Sequence, residues 1–471
     1  MRKYWLVILL LVSAFFFYLP SIGLYFAADD FFYTSFLDIR QTVEFFPGLY
    51  HYSPVFWFFM FLLRNLAGLN SWFFHLTALI LHLINISLVY FLGKLVFKNN
   101  QKAFLSTLLY AFFFSHYEVV YWVTGIDTSL MTILYLCGLN FYIRFTKRRK
   151  VIYLLFFNLF TLLALLTHEY AITLPVTAFL YETFLIQKMK IKKIFQYQIP
   201  FFIMIFILFF LKVIIFQTSL TVTSFSFEQF LISIVKSLVY LTIPVPQIID
   251  NLPRIFVILL FSIITISYLR LIKDKIAFWL VIWLVITVSL FSSTSVPQAR
   301  YFYLSAVPAT LLISYILNIN LGDLMVWPKY CFVILILFFG IFFLKKQESN
   351  WMLSSQIIRN TVFSIKETSN KVDMLFLNLP DSINGPPWNI YVFRGGLESP
   401  LRSNGIPIGK ITYGRTSSLN GIIRDDIFYS KENVYEFLKI GKEIYVYDDR
   451  ILSIRRINNE NDINYQCKNC R

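Results

Sequence analysis

A chain of 471 residues with 58% hydrophobic, 19% aromatic and only 14% charged residues is too apolar for an ordinary water-soluble domain, and lipid-length runs account for the excess. The net charge of +16 does not mark a nucleic-acid face: residues 1–346 carry 26 Lys/Arg against 12 Asp/Glu, residues 347–471 carry 16 against 14, and the surplus sits in short loops between apolar runs. Four cysteines exclude a disulfide scaffold.

Arg2 and Lys3 precede an apolar run at 4–26, longer than a signal-peptide core, which reads as an uncleaved first span with a cytoplasmic N-terminus. A mixed segment at 27–71 follows and opens on Asp29-Asp30. Its apolar stretch 54–66, interrupted by Arg64, reads as one or two helices lying in the outer interface. Further spans are expected at 72–96, 103–115, 128–145, 151–167, 170–186, 199–216, 255–271, 276–291, 301–317 and 330–344. The run at 103–115 falls short of the roughly 20 residues that cross a bilayer, so it has to thicken with 117–123 or end in protein. Segment 230–246, with Lys236 and the Pro244-Val245-Pro246 break, reads as re-entrant or interfacial, because a crossing there would carry the Arg270, Lys273 and Lys275 loop outside.

This count puts Lys94, Lys98 and Lys102, the cluster from Arg144 to Lys150, and that from Lys188 to Lys193 inside. Asp29, Asp30, Asp38, Glu44, Glu118, Asp127, Glu169, Glu228 and Asp250 fall outside. From 346 onward the chain turns polar, with a turn cluster at 380–387 and short β-rich runs at 374–377, 389–393, 410–413 and 443–447. The expected architecture is a mainly α polytopic membrane protein of about eleven transmembrane helices, N-terminus in and C-terminus out. Residues 1–345 form the membrane domain, with a first outer loop at 27–71, and 346–471 a small α/β or β-rich extracytoplasmic domain. Cys137 and Cys331 lie in apolar runs. Cys467 and Cys470 form a terminal CxxC that fits an incidental or disulfide-bonded pair, or a metal or redox role.

Polar residues gather where outer span ends are expected: Asp29-Asp30, His116 with Glu118, Asp127, His168-Glu169, and Arg300-Tyr301 with Tyr303. Adjacent carboxylates at a membrane surface are costly to keep and read by default as functional. Carboxylates with histidines and an arginine suit a reaction in which one group takes a proton and another steadies a departing anion, and the arginine fork matches phosphate. Plainer roles stand beside these. Asp29-Asp30 suits a helix N-cap, His75 and His82 suit core packing, and Arg300, Tyr301 and Tyr303 suit an interfacial anchor and belt.

At these residues the chain resembles the GT-C class of polytopic glycosyltransferases, in particular the group of protein O-mannosyltransferases, lipid A aminoarabinose transferases and transmembrane tetratricopeptide-repeat mannosyltransferases. The likeness runs in order through Ala28-Asp29-Asp30, the stretch from His75 through His82 to Asn85, that from His116 through Glu118, Trp122 and Gly125 to Asp127, then Leu166 to Ala171, and Arg300-Tyr301 with Tyr303. It covers roughly residues 1–320. Two departures each lose an arginine: Tyr52-Ser53-Pro54 stands where relatives often have Tyr-Arg-Pro, and Gly125-Ile126-Asp127 where they have Gly-Arg-x-Asp. Arg40, Lys212 and Arg254 are candidate substitutes for the missing cations.

The resemblance implies inverting transfer of a sugar from a polyprenyl-phosphate-linked donor to a hydroxyl of a protein, lipid or glycan acceptor on the outer face. Asp29 or Asp30 would be the general base, with Arg300, Tyr301 and His168 on the carrier phosphate. His116, Glu118, Asp127, Glu169 and Tyr303 are the other site candidates. The chain has no Gly-rich phosphate loop, which agrees with a lipid-linked donor. No cofactor is called for, and a divalent metal stays open. Richness in Phe, Ile, Lys and Asn points to a bacterial inner membrane. The alternatives are a transporter or flippase of lipid-linked saccharides, which would place polar residues through the midplane, a surface-polysaccharide polymerase or ligase, and a non-catalytic membrane scaffold.

Overall fold

The computed structural model describes residues 4–34, 53–187, 191–210, 226–243, 273–292, 298–317, 326–368, 373–383, 388–414 and 431–459, apart from 395, 407 and 449, together with Asp462 and scattered positions between 246 and 265. Arg40, Lys212, Arg254, Asp38, Glu44, Asp250 and the Cys467/Cys470 pair lie outside the described residues, as does much of the run at 255–271.

The membrane part is helical: α1 (Trp5–Tyr18), α2 (Asp30–Thr34), α3 (Pro54–Ala67), α4 (Ser71–Phe97), α5 (Asn100–Ala111), α6 (Tyr117–Tyr121), α7 (Ile126–Arg148), α8 (Val151–Leu165), α9 (Thr173–Leu180), α10 (Ile191–Phe210), α11 (Phe227–Thr242), α12 (Lys275–Phe291), α13 (Phe302–Leu317) and α14 (Val326–Thr368). Among the described residues five helices are long and apolar enough to cross a membrane: Trp5–Gly23, Ser71–Phe97, Val123–Arg148, Ala299–Leu317 and Tyr330–Ile365. A sixth forms if α5 and the segment Phe114–Tyr121, bent by 46° at their junction, make one span. The chain is an integral membrane protein. Several runs expected as full spans are shorter or interrupted helices, including Val151–Leu165 and Lys275–Leu290.

Tight connections align the helices. Lys98 (φ 53°) caps α4 in the left-handed region, and the Asn99 side chain then accepts from the amides of Gln101 and Lys102 to start α5. Small residues let the two helices meet: a Cβ on Gly93 would lie 3.1 Å from the Cα of Ala103. Arg149 (φ 55°) caps α7 likewise before α8.

These turns share one end of the bundle. There the Lys147 ammonium donates to the Leu95 carbonyl at 2.9 Å, Lys94 reaches the Tyr4 hydroxyl at 3.2 Å, and Lys102 lies over the Tyr315 ring. The run at 170–186 is a broken element, a 3₁₀ turn at Glu169–Ile172, then α9, then a π turn at Tyr181–Ile186. Its widened last turn sets Glu182 at this same end, against Arg149 and the Tyr142 hydroxyl.

The span expected at 330–344 does not stop there. Helix α14 runs through the composition change at Lys345 and on to Thr368. Lys345 to Glu348 are good helix formers that mark the end of the apolar stretch, not of the helix. Beyond them Trp351, Ser354, Ile358, Val362 and Ile365 form a buried stripe at helical spacing. The 345/346 division therefore falls inside a continuous helix.

Strands appear where β-rich runs were expected, with two more added, at Ser382–Ile383 and Ser453–Ile457. Strands β1 (Met374–Leu377), β4 (Ile411–Gly414), β5 (Glu443–Asp448) and β6 (Ser453–Ile457) form a sheet of order β4-β1-β5-β6. β1 runs parallel to β4 and β5, while β6 is antiparallel to β5. Leu375, Leu377, Ile444, Val446 and Ile457 pack with Val434 of helix Lys431–Lys439 on one face of this sheet. A two-stranded hairpin, β2 (Ser382–Ile383) with β3 (Ile390–Tyr391), meets α14. Just before β3, Trp388 sits among Phe114, Tyr240, Phe302 and Phe343, with ring centroids 5.3–6.4 Å away.

Candidate functional site

The end of the bundle opposite the basic turns is organised by the segment from Phe114 to Gly125, a 3₁₀ turn, α6 and a second 3₁₀ turn. Gly125 makes its fold tight: a Cβ there would lie 2.7 Å from the Cα of Val119 and 2.9 Å from the Glu118 carbonyl. Glu118, Trp122 and Thr124 leave this platform towards three different partners.

Thr124 holds the acidic turn. Its amide and its hydroxyl both donate to Oδ1 of Asp30 at 2.8 Å, and the Ala27 amide donates to Oδ2 at 3.0 Å. Asp30 thus reaches back and across rather than capping α2. It is 1% exposed, and burial, with Asp29 adding, raises its pKa to about 7 against the hydrogen bonds that favour the anion. Asp29, one residue earlier, is half-buried. The turn is bound from outside as well. Ala28 sits at φ 47°, an uncommon conformation for a residue with a side chain, and its amide donates to the Val392 carbonyl at 3.3 Å.

Glu118 takes Arg300. The Arg300 backbone amide donates to Oε2 at 2.8 Å and its Nη1 to Oε1 at 2.6 Å, with Glu118 2% and Arg300 20% exposed. A 3₁₀ turn at Ala299–Tyr301 opens α13 and delivers the guanidinium between two rings, 5.0 Å from Trp122 and 5.1 Å from Tyr301. Trp122 joins the two halves: its indole N–H donates to the Ala27 carbonyl at 3.3 Å, and its ring meets that of Tyr391 at 5.1 Å.

Asp127 opens α7. It accepts from the Thr128 amide and hydroxyl, and its Oδ2 stands 4.0 Å from Nε2 of His168. His168 Nδ1 accepts from the Tyr170 amide at 3.3 Å, so in the neutral ring the proton sits on Nε2, facing Asp127. Tyr170 in turn meets Tyr301 edge-on at 5.5 Å, and its hydroxyl lies within electrostatic reach of Glu169 and Arg300. Tyr33 on α2 ties these groups together. It lies in the joint field of Asp29, Asp127, Arg300 and Asp30, and burial, with the three acids, raises its pKa.

Asp29, Asp30, Glu118, Asp127, His168, Glu169, Arg300 and Tyr301 therefore share one end of the bundle. His116 and Tyr303 belong to a different cluster. The Tyr303 hydroxyl meets His82 Nδ1 at 2.8 Å and accepts from Asn85 Nδ2 at 3.2 Å, while the His116 ring lies 4.6 Å from Tyr303, 4.5 Å from Tyr110 and 5.1 Å from His82. Thr124, Trp122, Tyr33 and Tyr391 had no assigned role in the sequence. Trp122 and Thr124 stood inside the stretch from His116 to Asp127, but nothing in a tryptophan or threonine alone tells which carboxylate or cation it will meet. A cavity of about 430 Å³ lined by Pro20, Leu24, Ser355, Gln356 and Arg359 lies between the turn after α1 and helix α14, not at the Glu118–Arg300 pair. Among the described residues no three His, Cys, Asp or Glu side chains gather as a metal-binding group.

Comparison with known proteins bears out the resemblance read from the sequence. Residues 51–216 match the model of the dolichyl-phosphate-mannose-protein mannosyltransferase family. The fold is that of ArnT from Cupriavidus metallidurans, solved bound to undecaprenyl phosphate, with a TM-score of 0.51 at 12% identity over 95% of this chain and 94% of that one. The oligosaccharyltransferase AglB from Archaeoglobus fulgidus, solved with an inhibitory peptide and a dolichol-phosphate, gives a TM-score of 0.46 at 14% identity over 79% of this chain and 62% of that one. A comparison with curated protein sequences finds no match.

Proposed function

We propose that this GT-C-like membrane protein transfers one sugar from a polyprenyl-phosphate-linked donor to a hydroxyl of a protein, lipid or glycan acceptor. The observation that carries the reading is the meeting of the Asp29-Asp30 turn with the Glu118–Arg300 pair around Tyr33, Trp122 and Thr124. Such a meeting offers a base and an anion site a short distance apart, the two things an inverting displacement needs.

In this mechanism Asp29, the more exposed of the pair, takes the acceptor proton. The acceptor oxygen bonds to the anomeric carbon from the face opposite the carrier, the bond from that carbon to the phosphate oxygen breaks, and configuration inverts. The carrier phosphate leaves with the bonding electrons. Arg300 neutralises it, since its side chain meets Glu118 through Nη1, and Tyr301 and the Nε2–H of His168 flank it. Asp30 holds the turn, and its own charge makes its neighbour a stronger base.

The chain crosses about eleven times with its N-terminus in the cytoplasm, so that the site and residues 346–471 face outward, in keeping with the lysines and arginines gathered at the other end. The host is a bacterial inner membrane.

The test is transfer by the full-length protein in lipid nanodiscs, given a set of polyprenyl-phosphate monosaccharides with a bacterial membrane extract as the source of acceptor, and read as release of polyprenyl phosphate. The expected result is release from at least one donor, lost in Asp29→Asn. Absence of release from every donor, or full activity in both Asp29→Asn and Asp30→Asn, overturns the reading.

A further inference from the structure

Tyr391 is the one residue of strand β3 that turns from the C-terminal domain into the site. Its side chain is 1% exposed. The ring is gripped from two sides, by Trp122 at 5.1 Å and by the Arg394 guanidinium at 4.8 Å. Its backbone is gripped too, since Ser354 of α14 donates to the Tyr391 carbonyl at 2.5 Å and the next carbonyl, of Val392, accepts from Ala28 in the acidic turn.

The hydroxyl is the exception to this fixity. It is buried, its oxygen faces the Arg300 guanidinium, and among the described residues its proton has no acceptor, while Glu118 and Arg394 add to the field around it. A buried hydroxyl whose proton has no acceptor costs stability, and in a site it stands ready for a ligand atom. Burial, with Glu118 adding and the two arginines opposing, pushes its pKa up to about 12, so the group stays protonated and acts as a donor. What a donor beside an arginine lacks is an anionic oxygen.

We infer that the Tyr391 hydroxyl donates to an oxygen of the carrier phosphate alongside Arg300, so that the C-terminal domain supplies a ligand contact to the membrane site. This inference rests on the reading of the site as one for a polyprenyl-phosphate donor. It gives the second domain a direct part in recognising the leaving group, beyond covering the bundle end. It also supplies a phosphate contact where two arginines of related chains are missing.

The test compares undecaprenyl phosphate with undecaprenol, which has the same chain and no phosphate, as ligands of the full-length protein in nanodiscs. Tyr391→Phe keeps the ring and removes only the hydroxyl. It is expected to bind undecaprenyl phosphate about 10-fold to 100-fold more weakly, the usual worth of a hydrogen bond to a charged group, with undecaprenol binding unchanged. Its melting temperature should change little, because the variant loses a buried hydroxyl whose proton had no acceptor. Ser354→Ala, which frees the Tyr391 carbonyl, should lower the phosphate affinity in the same direction by a smaller factor, and it serves if the first variant misfolds. Unchanged phosphate binding in Tyr391→Phe, or equal weakening for both ligands, overturns the inference and leaves the transferase reading standing. Wild-type protein that binds the phosphate and the alcohol alike overturns that reading and this inference together.

Discussion

Two buried arginine–glutamate pairs sit at opposite ends of the bundle, and both close at 2.6 Å. At the basic end Glu182, with no exposed surface, takes Arg149 on one oxygen and the Tyr142 hydroxyl on the other at 2.6 Å. All three groups belong to neighbouring turns of the fold, and the pair fastens the close of α7 to the π turn. At the other end Glu118 takes the side chain and the backbone amide of Arg300, but the surroundings differ: four more acids, a histidine, and four tyrosines from separate elements converge there. A buried ion pair is by itself weak evidence of either stability or function. Its neighbours tell which role it has.

The largest expected difference between the two ends is in activity. Asp29→Asn should lower the turnover of sugar transfer by about 10²-fold to 10⁴-fold, the span of a lost general base, with the melting temperature little changed. Arg300→Ala should cost about 10²-fold to 10³-fold, as removal of a donor to a developing anion does, and should weaken polyprenyl-phosphate binding as well. If either variant transfers sugar at the wild-type rate, the acidic end is another structural clamp and the contrast with Glu182 disappears.

The same contrast runs the other way for stability. Glu182→Gln should destabilise the protein by about 1.5–3 kcal/mol, seen as a lower melting temperature in nanodiscs, because Arg149 loses its charged acceptor. Arg149 is 32% exposed, so solvent takes up part of the loss and the lower half of that range is expected. The protein that remains folded should transfer sugar at the wild-type rate. A variant that keeps its melting temperature but loses turnover would put function at both ends.

How far this asymmetry can be read without coordinates depends on the kind of signal. The apolar runs announced the helices, and basic residues between some of them announced one end. The acids at the other margins announced a shared face, because charged groups beside lipid have few places to go. Pairings were not legible. Glu118 and Arg300 stand far apart in the chain, and nothing local to either names the other. The reach of α14 past Lys345 was in fact written in the stripe from Trp351 to Ile365, but a fall in hydropathy outweighed it. Tyr391 read only as a strand residue. Its role depends on the Ser354 and Ala28 contacts that bring β3 onto the bundle end, and such contacts between distant segments leave no mark at any one position.

Gly125→Ala probes the platform between these groups. A methyl at that position meets Val119 and Glu118 main-chain atoms at 2.7 and 2.9 Å, and backbone has no rotamer to swing aside. The shift should move Glu118, Trp122 and Thr124 together and lower turnover, on the order of 10²-fold, as a misplacement of about 1 Å does. The corresponding test on the turn before α8, Lys150→Ala, should leave turnover unchanged.

The smallest effect expected is that of pH. Asp30 ionises at about 7 in the folded protein against 3.8 for a free side chain, because burial disfavours the charge. Two consequences follow with opposite sign. The fold binds this proton more tightly than the unfolded chain does, so the associated stability is fully present below about pH 4 and is lost as pH rises through about 7. Transfer should instead rise severalfold across pH 7, because a charged Asp30 strengthens the base beside it. Asp30→Asn should flatten both curves in that window while leaving their shape elsewhere. A wild-type rate profile that is flat from pH 6 to 8 would separate the buried carboxyl from the chemistry, and Asp30 would then be to its end of the bundle what Glu182 is to the other.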